Sequence, residues 1–229
     1  MLGPSGCGKT TLLNLIAGLI APSAGTLAWW GGDFAHTGGP GRRFGFVFQA
    51  PTLMPWARIA ANVRLPLDLA GVERSAAKRE AAVALQQVGL AAFAQHFPRE
   101  LSGGMQMRVS IARALATTPD LLLMDEPFGA LDEFTRQRLD AELAALWATR
   151  GLTVVFVTHS IYEAVFLSTR VAVMGPRPGR VIAEVAIDEP FPRSNAFRVS
   201  TVFARHAERL SALVAEAGAG MIDDAGVAA

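Results

Sequence analysis

One cysteine and two lysines are all that 229 residues contain of those types. The single thiol, Cys7, excludes an internal disulfide framework and any zinc site built on several cysteines. Charge of one sign is also lacking: 21 basic residues stand against 20 acidic ones, a net charge of +1. That excludes nucleic-acid binding through bulk positive charge and leaves no polybasic segment to hold a membrane surface. No apolar run approaches the roughly 18 residues that span a bilayer; the longest candidate, Leu12–Ala21, contains Asn14. No basic segment is followed by an apolar one in the manner of a signal peptide, so none is expected. Yet 51% of the residues are hydrophobic. They belong to a buried core or to a surface that meets another protein. Length and composition together imply a cytosolic α/β protein of one domain, or one domain with an insertion.

Strand and helix signals alternate through the first 50 and the last 110 residues. Helices are expected over Leu12–Leu19, Thr135–Thr149 and Ile161–Leu167. Strands are expected over Gly25–Trp30, Phe44–Phe48, Leu121–Met124, Thr153–Val157, Val171–Met174 and Val181–Ile187. Asp33–Gly41 reads as a Gly-rich loop. This alternation predicts a parallel sheet with helices on both faces. Between about 50 and 118 no strand is convincing. Arg74–Val88 is rich in helix formers, and Ser102 can cap a helix over Gly103–Ala116. The expected organisation is a core of 1–49 and 119–190, a helical insertion of 50–118, and a C-terminal segment of 191–229. The last carries a helix over Ser200–Ala215 and a disordered tail beyond Gly218. There is no internal repeat.

Three clusters carry chemistry. Gly3-Pro4-Ser5-Gly6-Cys7-Gly8-Lys9-Thr10-Thr11 matches the phosphate-binding loop. Its glycines let backbone N–H groups converge on phosphate oxygens, and the helix that follows adds its positive end. Lys9 would reach the β and γ phosphates and Thr10 would ligate magnesium. A Gly-rich turn capping a helix is the plainer reading. Leu121–Met124 then ends in Asp125 and Glu126, and acids at the carboxyl edge of a parallel sheet face the ligand crevice. Asp125 suits a magnesium partner and Glu126 a general base; a helix or turn start would also favour acids there. Finally, Ser102, Gly103 and Gly104 form a second anion-binding nest at a helix start, or simply an N-cap. One nucleotide has little use for two nests from one subunit. Cys7, inside the loop at a helix N-terminus, is expected to be alkylated with loss of nucleotide binding, or to be merely a small tolerated residue.

Taken in order, these segments resemble the nucleotide-binding subunit of an ATP-binding cassette (ABC) transporter. Gly3–Thr11 is similar to the Walker A motif, Gln49 to the Q-loop glutamine, Leu101–Gln106 to the signature and Leu121–Glu126 to Walker B. Ala130-Leu131-Asp132 is similar to the D-loop and His159 to the switch histidine. The likeness spans most of 1–190. It implies a P-loop NTPase (RecA-like) sheet with an inserted helical subdomain. It also implies ATP and Mg2+ as cofactors, and two copies packed head to tail with each ATP between one loop and the other copy's Ser102–Gly104. In that resemblance Glu126 is the base, and His159 contacts the γ phosphate; alone, such a histidine could be a satisfied strand-end residue. Gln49 touches the metal, and Asp132 joins the composite site.

Finer wording resembles the nitrate, sulfonate and taurine importers: Leu53-Met54-Pro55-Trp56, Asn62-Val63, His159–Ser168 and Met174–Val181. Ser160 departs from the acid usual after that histidine. In importers the segment near Leu53, Met54 and Trp56 receives a helix of the membrane permease; otherwise these residues pack the helical insertion. A solute-binding protein would be an indirect partner, nucleic acid none, and the location the cytoplasmic face of the membrane, peripherally. Alternatives are a non-catalytic truncated cassette, a soluble ABC ATPase, or an export subunit. The resemblance also asks for a strand and an adenine-stacking aromatic ahead of Gly3, a place that Trp29 and Trp30 do not match. The expectation is a misassigned start or a gene fragment or, if the chain begins at Met1, a sheet with a gap, low stability and weak ATP binding.

Overall fold

The computed structural model describes residues 1–29, 32–33, 43–176 and 178–225. The expected alternation is there. In chain order the elements are α1 (Lys9–Ile16), β1 (Ala28–Trp29), β2 (Gly32–Asp33), β3 (Phe44–Val47), α2 (Ile59–Leu69), α3 (Arg74–Gln87) and α4 (Gly103–Leu115). They continue with β4 (Leu121–Asp125), α5 (Glu133–Arg150), β5 (Thr153–Val157), α6 (Ile161–Leu167), β6 (Arg170–Gly175), β7 (Arg180–Ala186), α7 (Asn195–Arg198) and α8 (Thr201–Ala225).

Strands β3, β4 and β5 form a parallel sheet in that order, with Phe46 opposite Leu123 and Leu123 opposite Val155. The run Leu121–Met124 is apolar at every position because both faces of β4 are covered. Leu121 and Leu123 meet α1 through Leu13 and Ala17, while Leu122 and Met124 join the core of the helical region with Ile59, Val63 and Leu85. Each such side chain contributes about 1.5–3 kcal/mol by leaving water. Helices α2, α3 and α4 pack on one another and α4 on β3. A third core joins Leu2, Phe166, Val173, Phe203 and Leu210.

Four expectations change. The last two strands, β6 and β7, pair antiparallel rather than continuing the parallel set. The strand expected over Gly25–Trp30 is reduced to β1, and Asp33, expected in a loop, pairs with Ala28; Trp30 and most of the Gly-rich loop lie outside the described residues. The tail expected to lose structure beyond Gly218 continues as helix to Ala225, since Ala, Met, Ile and Asp follow without proline. And α1 begins at Lys9 rather than Leu12, because the phosphate-loop residues themselves enter the helix.

Met1 and Leu2 join the two sheets. Leu2 bridges in parallel to Thr158 on one side and Val173 on the other. Its N–H donates to the Ala172 carbonyl at 2.9 Å and its carbonyl accepts from the Met174 N–H at 2.7 Å. The Met1 ammonium donates to the Phe156 carbonyl at 2.6 Å; burial pulls its pKa down to about 6, with nearby Lys9 adding to the effect. Beside this join, the edges of β5 and β6 border a cavity of about 760 Å³ lined by Thr153–Phe156, Arg170 and Ala172 and closed by Leu143 and Trp147.

Candidate functional site

The join leads directly into the phosphate loop. Gly6 and Gly8 hold φ of 78° and 95°, a left-handed region that any side chain would strain. Gly8 is the N-cap of α1 and offers no side-chain cap, so the first N–H groups of the helix remain directed outward for an anion. Lys9, only 5% exposed, folds back over the loop and donates to the carbonyls of Gly3 at 2.9 Å and Pro4 at 3.0 Å. Its ammonium also lies 3.5 Å from Glu126 Oε1. Pro4 and Ser5 form the turn between. Cys7 is buried, so the alkylation expected from sequence meets a covered sulfur; a reactive thiol needs access as well as a helix N-terminus.

Thr10 and Asp125 meet as their motifs suggest. The Thr10 hydroxyl donates to Asp125 Oδ1 at 3.2 Å. Burial pushes the Asp125 carboxyl up and Glu126 adds to this, while the Thr10 hydrogen bond and Lys9 oppose it. A divalent cation held here would favour the ionised form. Hard oxygen donors of this kind, one carboxylate and one hydroxyl, suit Mg2+ held jointly with phosphate oxygens. Among the described residues no cluster of three or more His, Cys, Asp or Glu could hold a metal. Thr11 sits one residue further along α1.

Glu126 lies at the turn after β4 with φ of 43°, a strained conformation for a side-chain-bearing residue. The turn is held by Glu126 N–H to the Val157 carbonyl at 3.0 Å and Gly129 N–H to the Glu126 carbonyl at 3.1 Å. Its Oε2 lies 2.9 Å from His159 Nδ1. One carboxylate therefore touches both the loop lysine and the histidine after β5. Gln49 is exposed two residues beyond β3, beside the end of β4 by register.

The second nest is elsewhere. Ser102 caps α4 by accepting from the Met105 N–H at 3.4 Å, with Gly103 exposed and Gly104 buried against Thr135. Among the described residues no hydrogen bond joins Ser102–Gly104 to the phosphate loop. Asp132 caps α5 through the Thr135 N–H at 3.0 Å, and these hydrogen bonds hold its carboxyl below the usual range. Of the apolar trio after Gln49, Leu53 packs on the helical core, the alternative that sequence left open. Met54 is half-buried and Trp56 is 77% exposed.

Sequence reasoning passed over Thr158 and Glu163. Ser160 to Glu163 has capping-box spacing, and Ser160 Oγ does accept from the Glu163 N–H at 3.3 Å. The Glu163 side chain goes instead to the Thr158 hydroxyl. Spacing shows the box and hides the partner.

A family described as ABC transporter matches residues 1–129. The taurine import ATP-binding protein TauB of Rhizobium johnstonii is 52% identical over 187 residues, 82% of this chain and 70% of that protein. Its counterpart in Yersinia pestis is 47% identical over 188 residues, 82% of this chain and 72% of that one. A putative ATP-binding protein of Brucella abortus is 46% identical over 204 residues, 89% of this chain and 77% of that one. Among solved structures, the dimeric post-hydrolysis state of the ATP-binding cassette MJ0796 bound to ADP and Pi is similar with a TM-score of 0.69. It is 34% identical and covers 82% of this chain and 84% of that one.

Proposed function

This chain belongs to the ABC transporter family, and from that premise we propose that it is the ATP-hydrolysing subunit of a membrane importer. The observation that carries the reading is the carboxylate of Glu126, 3.5 Å from Lys9 and 2.9 Å from His159 at the mouth of a phosphate loop. Lys9 and the α1 amides bind the phosphates. Thr10 and Asp125, with Gln49 at the adjoining strand end, would hold Mg2+, which supplies charge neutralisation on the phosphate oxygens. Glu126 takes the proton of a water aimed at the γ phosphate. His159 fixes the Glu126 carboxylate on one side and orients the phosphate on the other. Residues 1–49 and 119–190 serve as the nucleotide-binding core, with 50–118 as the helical arm.

Ser102–Gly104 would complete the site of a second copy. What supports this is that the nest is bonded to its own helix and not to its own phosphate loop, and that MJ0796 is described as dimeric. Trp56, exposed beside the partly buried Leu53, is the anchor we assign to the permease. Taurine import relatives support a small solute of the nitrate, sulfonate or taurine kind. Among the described residues no helix is long and apolar enough to cross a membrane, so attachment to the cytoplasmic face would run through the permease. The complete set of Lys9, Gln49, Ser102, Asp125, Glu126 and His159 argues against a purely non-catalytic role.

The test is phosphate release from ATP with Mg2+. Glu126→Gln is expected to lower the rate about 10²–10⁴-fold, the usual worth of a general base, while ATP still binds. Equal hydrolysis by the variant would remove Glu126 from the mechanism. Absence of ATP binding by the unaltered chain, alone and with its permease, would remove the function.

A further inference from the structure

Behind the Glu126–His159 pair runs a partly buried chain of polar groups that the hydrolytic chemistry above does not use. Thr158 and Ser160 flank His159. The Thr158 hydroxyl accepts from the Ser160 N–H at 2.9 Å and commits its own proton to Glu163 Oε2. One side chain thus pins the backbone on both sides of His159, and Glu163, itself 5% exposed, holds that side chain. The other oxygen, Glu163 Oε1, has no hydrogen-bond partner among the described residues. It lies 3.8 Å from Arg136 Nε, which has none either. Arg136, in the first turn of α5, donates through Nη2 to the Leu131 carbonyl at 3.0 Å and through Nη1 to Glu133 Oε2 at 3.4 Å. Leu131 belongs to the turn that begins at Glu126.

Stability does not account for this arrangement. Glu163 is buried while Arg136 is 22% exposed, and a pair that takes a charge out of water repays that cost only with close, fully bonded geometry. Here the facing atoms are 3.8 Å apart and both lack hydrogen bonds. Burial pushes the Glu163 carboxyl up, with Thr158 and then Arg136 opposing. A pair kept at such a cost, with one end on the loop of His159 and the other on the 130–132 loop, has its use in alignment. We propose that Glu163 and Arg136 are positioning residues for ATP hydrolysis. Glu163 sets His159 against Glu126 through Thr158, and Arg136 ties that setting to the Leu131–Asp132 segment. The proposal rests on the ATPase reading above.

Glu163→Gln keeps the volume and a group for Thr158 but removes the charge. Arg136→Met keeps the stem. Each is expected to lower kcat about tenfold, as small misplacements at a reacting centre do, with KM for ATP changed by less than about twofold. The double variant is expected to be no slower than the slower single, since both break one linkage. Arg136→Lys should recover part of the loss. In proton NMR, the imidazole signal of His159, assigned by its disappearance in His159→Gln, should move in both single variants while those of His96 and His206 stay. Additive losses of kcat, losses that follow the melting temperature, or a stationary His159 signal would each overturn the proposal. If the unaltered chain hydrolyses no ATP, the ATPase reading fails, and the His159 signal still decides whether the pair sets that histidine.

Discussion

Asn62 is fully buried and uses every polar atom of its side chain. Its Oδ1 accepts from the Met54 N–H at 2.7 Å, and Nδ2 donates to the carbonyls of Met54, Ala57 and Arg58 at 3.1–3.2 Å. This side chain braces the loop that presents Trp56 from within, while Arg113 holds its start through the carbonyls of Pro51 and Thr52. Asn62→Ala would leave buried backbone groups unpaired, at about 1–3 kcal/mol each in the worst placed. Urea unfolding should show a loss of about 2 kcal/mol, and an unchanged midpoint would mean water replaces the amide. Asp140 makes a second case. It is buried, with Oδ2 on Arg198 Nη2 at 2.9 Å and Oδ1 without a partner. Burial raises its pKa to about 7, with Glu163 adding and Arg198 and Arg136 opposing. The folded state therefore holds a proton that the unfolded chain gives up near 3.8. Its contribution is full below about pH 4 and is lost as pH rises to 7. Between pH 5 and pH 8 the melting temperature should fall, and Asp140→Asn should flatten that fall. A fall of equal size in Asp140→Asn would assign it to other groups.

At the scale of elements, Arg193 ends α6. Its guanidinium donates to the carbonyls of Val165, Phe166 and Ser168 at 2.6–3.1 Å and to those of Ile187 and Glu189. It also stacks 4.1 Å from the Phe191 ring. Helix ends leave carbonyls unpaired, and here one planar fork from a distant segment satisfies them. Arg193→Lys, which has no fork, should lower stability nearly as much as Arg193→Ala. A lysine variant that melts with the unaltered protein would show that charge alone suffices. Sequence could not reveal this contact, because Arg193 is 25–28 residues away from the carbonyls it meets on α6. Helix α2 escaped notice for a local reason: Arg58 is a poor cap and Pro66 lies within the helix, so its signals oppose its fate. By contrast, Ser102 before α4, the β-branched Thr153–Val157 and the strand ending in Asp125 and Glu126 were legible, since cap, period and strand-end acids are all short-range. The family resemblance gave roles to Glu126 and His159 but not their contact. Thirty-three residues separate the two, and nothing in either segment refers to the other.

Across the whole molecule, the two sheets meet through Met1 and Leu2, and those residues continue into the phosphate loop. Occupying the loop should therefore stiffen the join. In hydrogen exchange on Glu126→Gln with Mg2+ and ATP, β5 and β6 should both slow, and α3, in the helical arm, should not. Protection confined to residues 3–11 would show that the loop and the join move independently. The strained backbone of Glu126 acts at this scale too. A side-chain-bearing residue in the left-handed region costs about 1–3 kcal/mol, a noticeable share of the stability of a chain this size. Folding and turnover thus pull this position in opposite directions. In a lineage released from the need to hydrolyse ATP, drift would replace Glu126 early, by glycine or asparagine. The descendants would melt at a higher temperature than the working ancestor.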